Sequence, residues 1–194
     1  MHGLMNRAIQ NFICDTYGHA MWDSVVKQAA IGISEFEAML IYDDPLTEKV
    51  LDGACHCLSK TRASVLEDIG TYLISDPQID APRRLLRFSG ISYEDFLLSL
   101  DELPDRAKLA ISDLTLPKLE LCCLDSGGYV LLVDAKPQGF GHVMVGVLRA
   151  LADDYGALVM LEHHGTFHGQ EKIEITLVEA AFSKGRDFEL GART

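Results

Sequence analysis

The stretch DELPDRAKLAISDLTLPKLELCCLDSGGYVLLVDAK, residues 101–136, is where the hydrophobic period of this chain changes. Before it, Phe96, Leu97 and Leu100 fall at helical spacing, which predicts a helix over 92–103 that Pro104 stops. After it the text alternates. Leu119, Leu121 and Cys123 share one face, Asp125-Ser126-Gly127-Gly128 has turn composition, and Tyr129, Leu131 and Val133 alternate back, which predicts a β-hairpin opened by Pro117. Pro104 and Pro117 stand thirteen positions apart, bracketing the span between a helix end and a hairpin start.

Everything upstream has helical period. Leu4, Ala8, Ile9, Phe12 and Ile13 form one stripe, and Trp22, Val25, Val26 and Ala29 a second, closed by Gly32. Ser34 with Glu37 has the form of a capping box, predicting a short helix over 34–40, and Thr47 is placed to cap the stripe of Val50, Leu51, Ala54 and Leu58. Val65, Leu66, Ile69, Tyr72 and Leu73 continue the pattern to about residue 74, and Leu85, Leu86 and Phe88 precede Gly90. Downstream of the hairpin, Val143, Val147, Leu148, Leu151 and Ala152 predict a helix ended by Gly156. A short strand over 158–161, a loop HHGTFHG, a strand around Ile173, Ile175 and Leu177, and a polar frayed tail over 183–194 complete the expectation. The expected class is α+β: one domain over 1–182, with a helical lobe at about 1–90 and a lobe of antiparallel strands with one packed helix at about 91–182.

Composition narrows the function. At 194 residues the chain can bury one substantial core, and 48% hydrophobic with 24% charged residues is ordinary for a folded domain. The 17 Lys and Arg against 29 Asp and Glu leave a net charge of −12, a field that repels phosphate backbones and anionic lipid headgroups. Nucleic acid and membrane surfaces are poor partners for it. No apolar run reaches the roughly 18 residues of a membrane span, and the first residues lack the pattern of a secretory leader, so the expected compartment is the cytoplasm. Five cysteines without framework spacing fit reduced thiols.

Few residues suggest chemistry. Cys55 and Cys57 sit two apart on a helix, roughly 200° around its axis, so their thiolates do not meet one ion. Cys122 and Cys123 face opposite sides of a strand. His163, His164 and His168 make a histidine-dense loop whose simplest reading is a solvated turn, and no His-Glu-x-x-His occurs. Gly139-Phe140-Gly141-His142 precedes a helix without a phosphate-loop pattern. No Gly-x-Ser-x-Gly or dinucleotide fingerprint is present, so no reaction suggests itself and a non-enzymatic role is expected.

The order of these segments resembles the heme-nitric oxide/oxygen binding family, the gas-sensing domain shared by bacterial sensors and the soluble guanylate cyclase β subunit. The likeness is carried by MHGLMNRAI at the start, YDDPLTEKVLDGA, LEDIGTYL, FLLSLDEL, and Pro117 just before the hairpin. It implies the α+β fold just described, a pocket between the lobes, heme b as cofactor, nitric oxide sensing, and a signalling partner such as a histidine kinase or a cyclic-dinucleotide enzyme. In that family a histidine thirteen residues before the proline ligates the iron. Pro104 stands at that position and has no donor atom. A tyrosine, serine and arginine at alternate positions bind the propionates in the family. The matching residues are Leu132, Asp134 and Lys136, of which only Lys136 keeps a cation, without the arginine fork. Gly141, five residues beyond Lys136, matches the distal tyrosine of oxygen-binding members, and His142 is the candidate for a substitute iron ligand. Heme held through His142, or a heme-free pocket for a small apolar ligand or a protein partner, are the two readings that follow.

Overall fold

The computed structural model describes residues 2–77, 80–125 and 127–187. They form two compact units, Met1–Ile69 and Gly70–Thr194. The division falls within one helix, and the lobe boundary expected near residue 90 lies inside the second unit.

The first unit is helical. α1 (Gly3–Tyr17) is capped by His2, whose Nδ1 accepts from the Leu4 amide at 3.2 Å. Its buried stripe of Ile9, Phe12 and Ile13 meets Trp22 and Val25 of α2 (His19–Ala29) and Val50, Leu51 and Ala54 of α3 (Asp44–Leu58) in one core. Each fully buried side chain of this size contributes about 1.5–3 kcal/mol. α3 starts at Asp44, with Pro45 in its first turn, ahead of the expected Thr47. Thr47 is instead buried and donates its hydroxyl to Asn6 Oδ1 at 2.7 Å. The expected helix over 34–40 does not form. Ser34 O accepts the Trp22 indole N–H at 2.7 Å, Gln10 Oε1 accepts the Phe36 amide at 2.8 Å, and Arg7 donates to Phe36 O at 2.9 Å. Those side chains satisfy the backbone groups a helix would have used, and they seat Phe36 fully buried against Trp22 and Tyr42. α4 (Arg62–Ser75) adds Val65, Leu66 and Ile69 to the buried set.

The second unit is a four-stranded antiparallel sheet with helices against it. β1 (Leu119–Cys123), β2 (Tyr129–Asp134), β3 (Leu158–Phe167) and β4 (Gln170–Glu179) lie in the order β1-β2-β4-β3. Leu131 pairs with Leu121 on one side and Ile173 on the other, and Val133 with Leu119 and Glu171. Because side chains alternate, this register gathers Leu119, Leu131, Val133, Ile173 and Ile175 on one buried face. α8 (Phe140–Tyr155) packs on that face, burying Met144, Leu148 and Leu151, and ends at Gly156, whose φ of 77° is the left-handed cap a residue with a Cβ disfavours. A Cβ at Gly70 would come within 2.1 Å of Val143 O, so α4 and α8 touch backbone to backbone there.

Three further helices precede the sheet. α5 (Asp80–Arg87) is a helix where the sequence pattern shows only apolar residues before Gly90. The single helix expected over 92–103 is two pieces, α6 (Tyr93–Leu98) and a 3-10 turn (Leu100–Glu102), and a further helix, α7 (Leu103–Ala110), starts at its last residue. A Ser92–Asp95 capping box starts α6. β3 also differs from expectation. It runs ten residues through most of the histidine-rich segment and turns into β4 over His168 and Gly169, with φ of 51° and 83°. Two consecutive positive φ values define the tight turn that matches strand twist.

Candidate functional site

Pro104 opens a helix where the sequence pattern had it closing one. It lies in the first turn of α7, where its missing N–H has no intrahelical partner to lose and its fixed φ suits the helix. The preceding Asp101 accepts the Leu121 amide at 2.7 Å, joining the 3-10 turn to the free edge of β1. Pro117 is buried just before β1. The two prolines therefore frame α7 and its connection to the hairpin, a helix the sequence pattern did not show, and the position at 104 presents a pyrrolidine ring with no lone pair for a metal.

The three alternate positions near the end of β2 fall as follows. Leu132 stands between Glu120 of β1 and Lys172 of β4, and Asp134 opposite Gln170, which lies 3.5 Å away as a donor to Asp134 Oδ1. Both side chains lie on the sheet face away from α8, because Leu131 and Val133 occupy the α8 face. Lys136 is exposed just past the strand.

His142 is on the other side of the sheet. It sits in the first turn of α8, and its ring stacks on His163 at 3.9 Å between centroids with planes 23° apart. His163 in turn approaches Glu171 Oε2 at 2.9 Å, while Glu171 Oε1 accepts the Gly139 amide at 2.8 Å. Gly165 N donates to His163 Nδ1 at 3.1 Å, which assigns the Nε2–H tautomer that donates to Glu171. Glu171 is only 2% exposed, so these hydrogen bonds are what make its burial tolerable. Gly141 belongs to the same cluster. A Cβ there would lie 2.5 Å from Glu171 Oε2 and 2.8 Å from His163 Nε2. The position matched to a distal tyrosine therefore faces the sheet, and the space of a side chain is filled by the imidazole–carboxylate pair.

The solvated histidine turn expected from the sequence is divided between two environments. His163 is half-buried under His142, His164 pairs with Glu174 at 3.1 Å on the opposite face, and His168 forms the β3–β4 turn. Among the described residues no three His, Cys, Asp or Glu side chains gather to hold a metal ion.

A second polar cluster went unread in the sequence. Asp154, 1% exposed near the end of α8, accepts from Arg83 Nε at 3.1 Å and Nη2 at 2.8 Å, with Arg87 Nε at 3.4 Å. The Arg87 guanidinium lies 3.9 Å over the Tyr155 ring, and the Tyr155 hydroxyl donates to Gly90 O at 3.0 Å. The tail expected to fray is tied to this cluster as far as it is described. Ser183 N donates to Gly156 O at 3.0 Å, Arg186 N to Asp154 O at 2.8 Å, and Arg83 Nη2 to Asp187 O at 3.3 Å. Residues 188–194 of that tail lie outside the described residues. The signal in the sequence was Arg83, Arg84 and Arg87 on one short segment, whose partner sits 67 or more positions away and leaves no local trace.

The family model described as Haem-NO-binding matches residues 2–163. The chain belongs to the heme-NO-binding (H-NOX) family. Soluble guanylate cyclase 89Da of Drosophila melanogaster is 20% identical over 158 residues, 81% of this chain and 24% of that protein, and soluble guanylate cyclase gcy-31 of Caenorhabditis elegans is 23% identical over 155 residues, 79% and 22%. The chain thus spans about a quarter of the length of these curated relatives. Among solved structures, an H-NOX protein from S. oneidensis in the Fe(II)NO state superposes with a TM-score of 0.75 at 12% identity, covering 91% of this chain and 99% of that one. Unliganded Fe(II) H-NOX from K. algicida gives 0.78 at 12% identity, covering 95% and 100%. An oxygen-binding H-NOX domain gives 0.71 at 16%, covering 96% and 100%. The expected α+β architecture is therefore that of the family.

Heme as the family holds it does not fit the residues present. Position 104 supplies no ligand, Asp134 would oppose a propionate, and His142 is stacked on His163 with the sheet between it and Leu132 and Asp134.

Proposed function

We propose that this chain is a non-enzymatic sensory domain of the H-NOX fold whose signal does not pass through an iron–imidazole bond at position 104. Its ligand is a small apolar molecule or none, and its output is regulation of a partner, a histidine kinase or a cyclic-nucleotide enzyme in the cytoplasm. The observation that carries this reading is Pro104 in the first turn of α7, thirteen residues before Pro117, with no nitrogen or sulfur to offer a metal. The named relatives being soluble guanylate cyclases supports a cyclic-nucleotide partner.

The test is an absorption spectrum of the purified protein with and without hemin. No Soret band characteristic of a ligated heme is expected. Stoichiometric uptake that His142→Ala abolishes would overturn the reading in favour of a gas sensor with a substitute ligand. The variant Pro104→His, Leu132→Tyr, Asp134→Ser, Lys136→Arg restores the family pattern and is expected to take up hemin. A folded quadruple variant that stays colourless would place the obstacle in the shape of the pocket.

A further inference from the structure

Arg106 lies on α7, two residues after Pro104, and its guanidinium is held in an unusual way. Nη1 donates to Ser89 Oγ, in the loop after α5. Nε and Nη2, the parallel donor pair that takes a carboxylate or phosphate side-on, are both buried and have no acceptor in the protein. Two charged N–H groups turned inward without a partner cost more than the net worth of most hydrogen bonds, so native structures satisfy such groups with a bound ion or water.

The carboxylates of the neighbourhood are engaged elsewhere. Asp154 is taken by Arg83 and Arg87, Asp95 accepts the Ser92 and Ile91 amides, and Glu94 accepts the Tyr129 hydroxyl. Glu102 supplies the remaining counter-charge for Arg106, and it does not bond the free edge. Burial pulls the Arg106 pKa below the ordinary guanidinium range, with Glu102 opposing that shift. Arg106 is thus a cation, in a chain of net charge −12, whose two buried N–H groups lack an acceptor.

We infer that the Nε–Nη2 edge of Arg106, flanked by Ser89 and Tyr155, is an oxyanion-binding site that takes a phosphate or carboxylate group as an internal counter-ion between α5 and α7. A guanidinium fork suits either planar or tetrahedral oxyanions and discriminates against chloride, which accepts without directional geometry. Because the site lies on the helix that carries Pro104, it deepens the proposed function by giving α7 an input other than iron, and that role rests on the proposed reading while binding itself does not.

Thermal midpoints of the full chain in phosphate, in acetate and in sodium chloride of equal ionic strength test the site. Phosphate or acetate is expected to raise the midpoint above the chloride value, the more effective ion identifying the group the site prefers. Arg106→Lys keeps the charge, loses the fork and is expected to weaken the apparent affinity about tenfold or more. Lys184→Ala, which removes an 87% exposed cation, should leave the response unchanged and so exclude general screening. In the unaltered protein the Arg106 side-chain Nε–H resonance should move on titration, which tests the site even if Arg106→Lys folds poorly. Equal midpoints in the three salts, a static Nε–H resonance, or the same response in Arg106→Lys would each overturn the inference. A hemin titration of the same samples separates the two readings: heme uptake with an intact anion response defeats only the function proposed above.

Discussion

Replacing Asp154 by alanine should unfold the second unit at far lower denaturant than the unaltered protein. The carboxylate is 1% exposed and receives Arg83 Nε and Nη2 in a fork, with Arg87 at 3.4 Å; the two arginine side chains are 19% and 12% exposed. Removing one partner of a buried pair leaves desolvated charge behind and costs about 3–5 kcal/mol. With a urea m-value of about 2 kcal/mol/M, that lowers the midpoint by about 1.5–2.5 M. Part of the loss is local and can be read separately. The Arg186 and Ser183 amides bond to Asp154 O and Gly156 O at the end of α8, and Arg83 holds Asp187 O, so exchange of the 183 and 186 amides should accelerate by more than global unfolding explains. Urea unfolding followed by tryptophan-independent circular dichroism, with amide exchange by NMR, measures both. The pair also predicts coupling: Asp154→Leu with Arg83→Met should lose less than Asp154→Leu alone, since an apolar replacement strands no charge at Arg83. A midpoint loss below about 0.5 M, or strict additivity in the double variant, would refute the account of Asp154 as the buried counter-charge of α5.

Three further expectations follow from single sites. Gly141→Ala puts a Cβ 2.5 Å from Glu171 Oε2 and 2.8 Å from His163 Nε2, and should cost about 1–3 kcal/mol by overpacking, measured by denaturant unfolding; a neutral effect would mean that the imidazole–carboxylate pair shifts freely. Thr47→Val removes the hydroxyl bonded to buried Asn6 and should cost about 1–3 kcal/mol, because an amide oxygen is left without its donor. The Tyr129 phenol, donating to Glu94, is pushed up to about 12 by that hydrogen bond and by burial. A raised folded pKa means that the native state holds its proton longer, so this contribution is complete below about pH 10, the ordinary tyrosine value, and is lost as pH rises through about 12. Tyr129→Phe should flatten that part of the stability profile, and an unchanged alkaline slope would count against it.

Much of the architecture was legible before any coordinates, because burial leaves a periodic trace. The stripes of α1, α2 and α8 and the alternation of Leu131 and Val133 each record which side of an element faces the core, and that requires only the chain's own spacing. The absence of a ligand atom at Pro104 is equally a property of the residue type. Errors arose where a distant group supplied what local pattern was presumed to supply. Ser34 and Glu37 spell a helix start, yet Trp22, Gln10 and Arg7 take the backbone groups of that segment from 12 to 29 residues away. The histidine-rich segment reads as a loop because its alternation is polar on both faces. β4 pairing extends it as a strand, with His168 taking a positive φ that histidine tolerates better than most residues.

The electrostatic sites belong wholly to the tertiary level. Glu171 meets His163 eight residues away, His163 meets His142 across a helix–sheet interface, and Asp154 meets Arg83 seventy-one positions back along the chain. A carboxylate has the same sequence signature in solvent and in a core. What separates the two cases is the desolvation energy and the partner that offsets it, quantities that exist only once segments remote in sequence are brought together. Periodicity therefore laid out the order of helices and strands, and resemblance to the family marked Pro104 at the position of its iron ligand, whereas the buried ion pairs, the sheet lying between His142 and Asp134, and the open guanidinium edge of Arg106 were decided by packing.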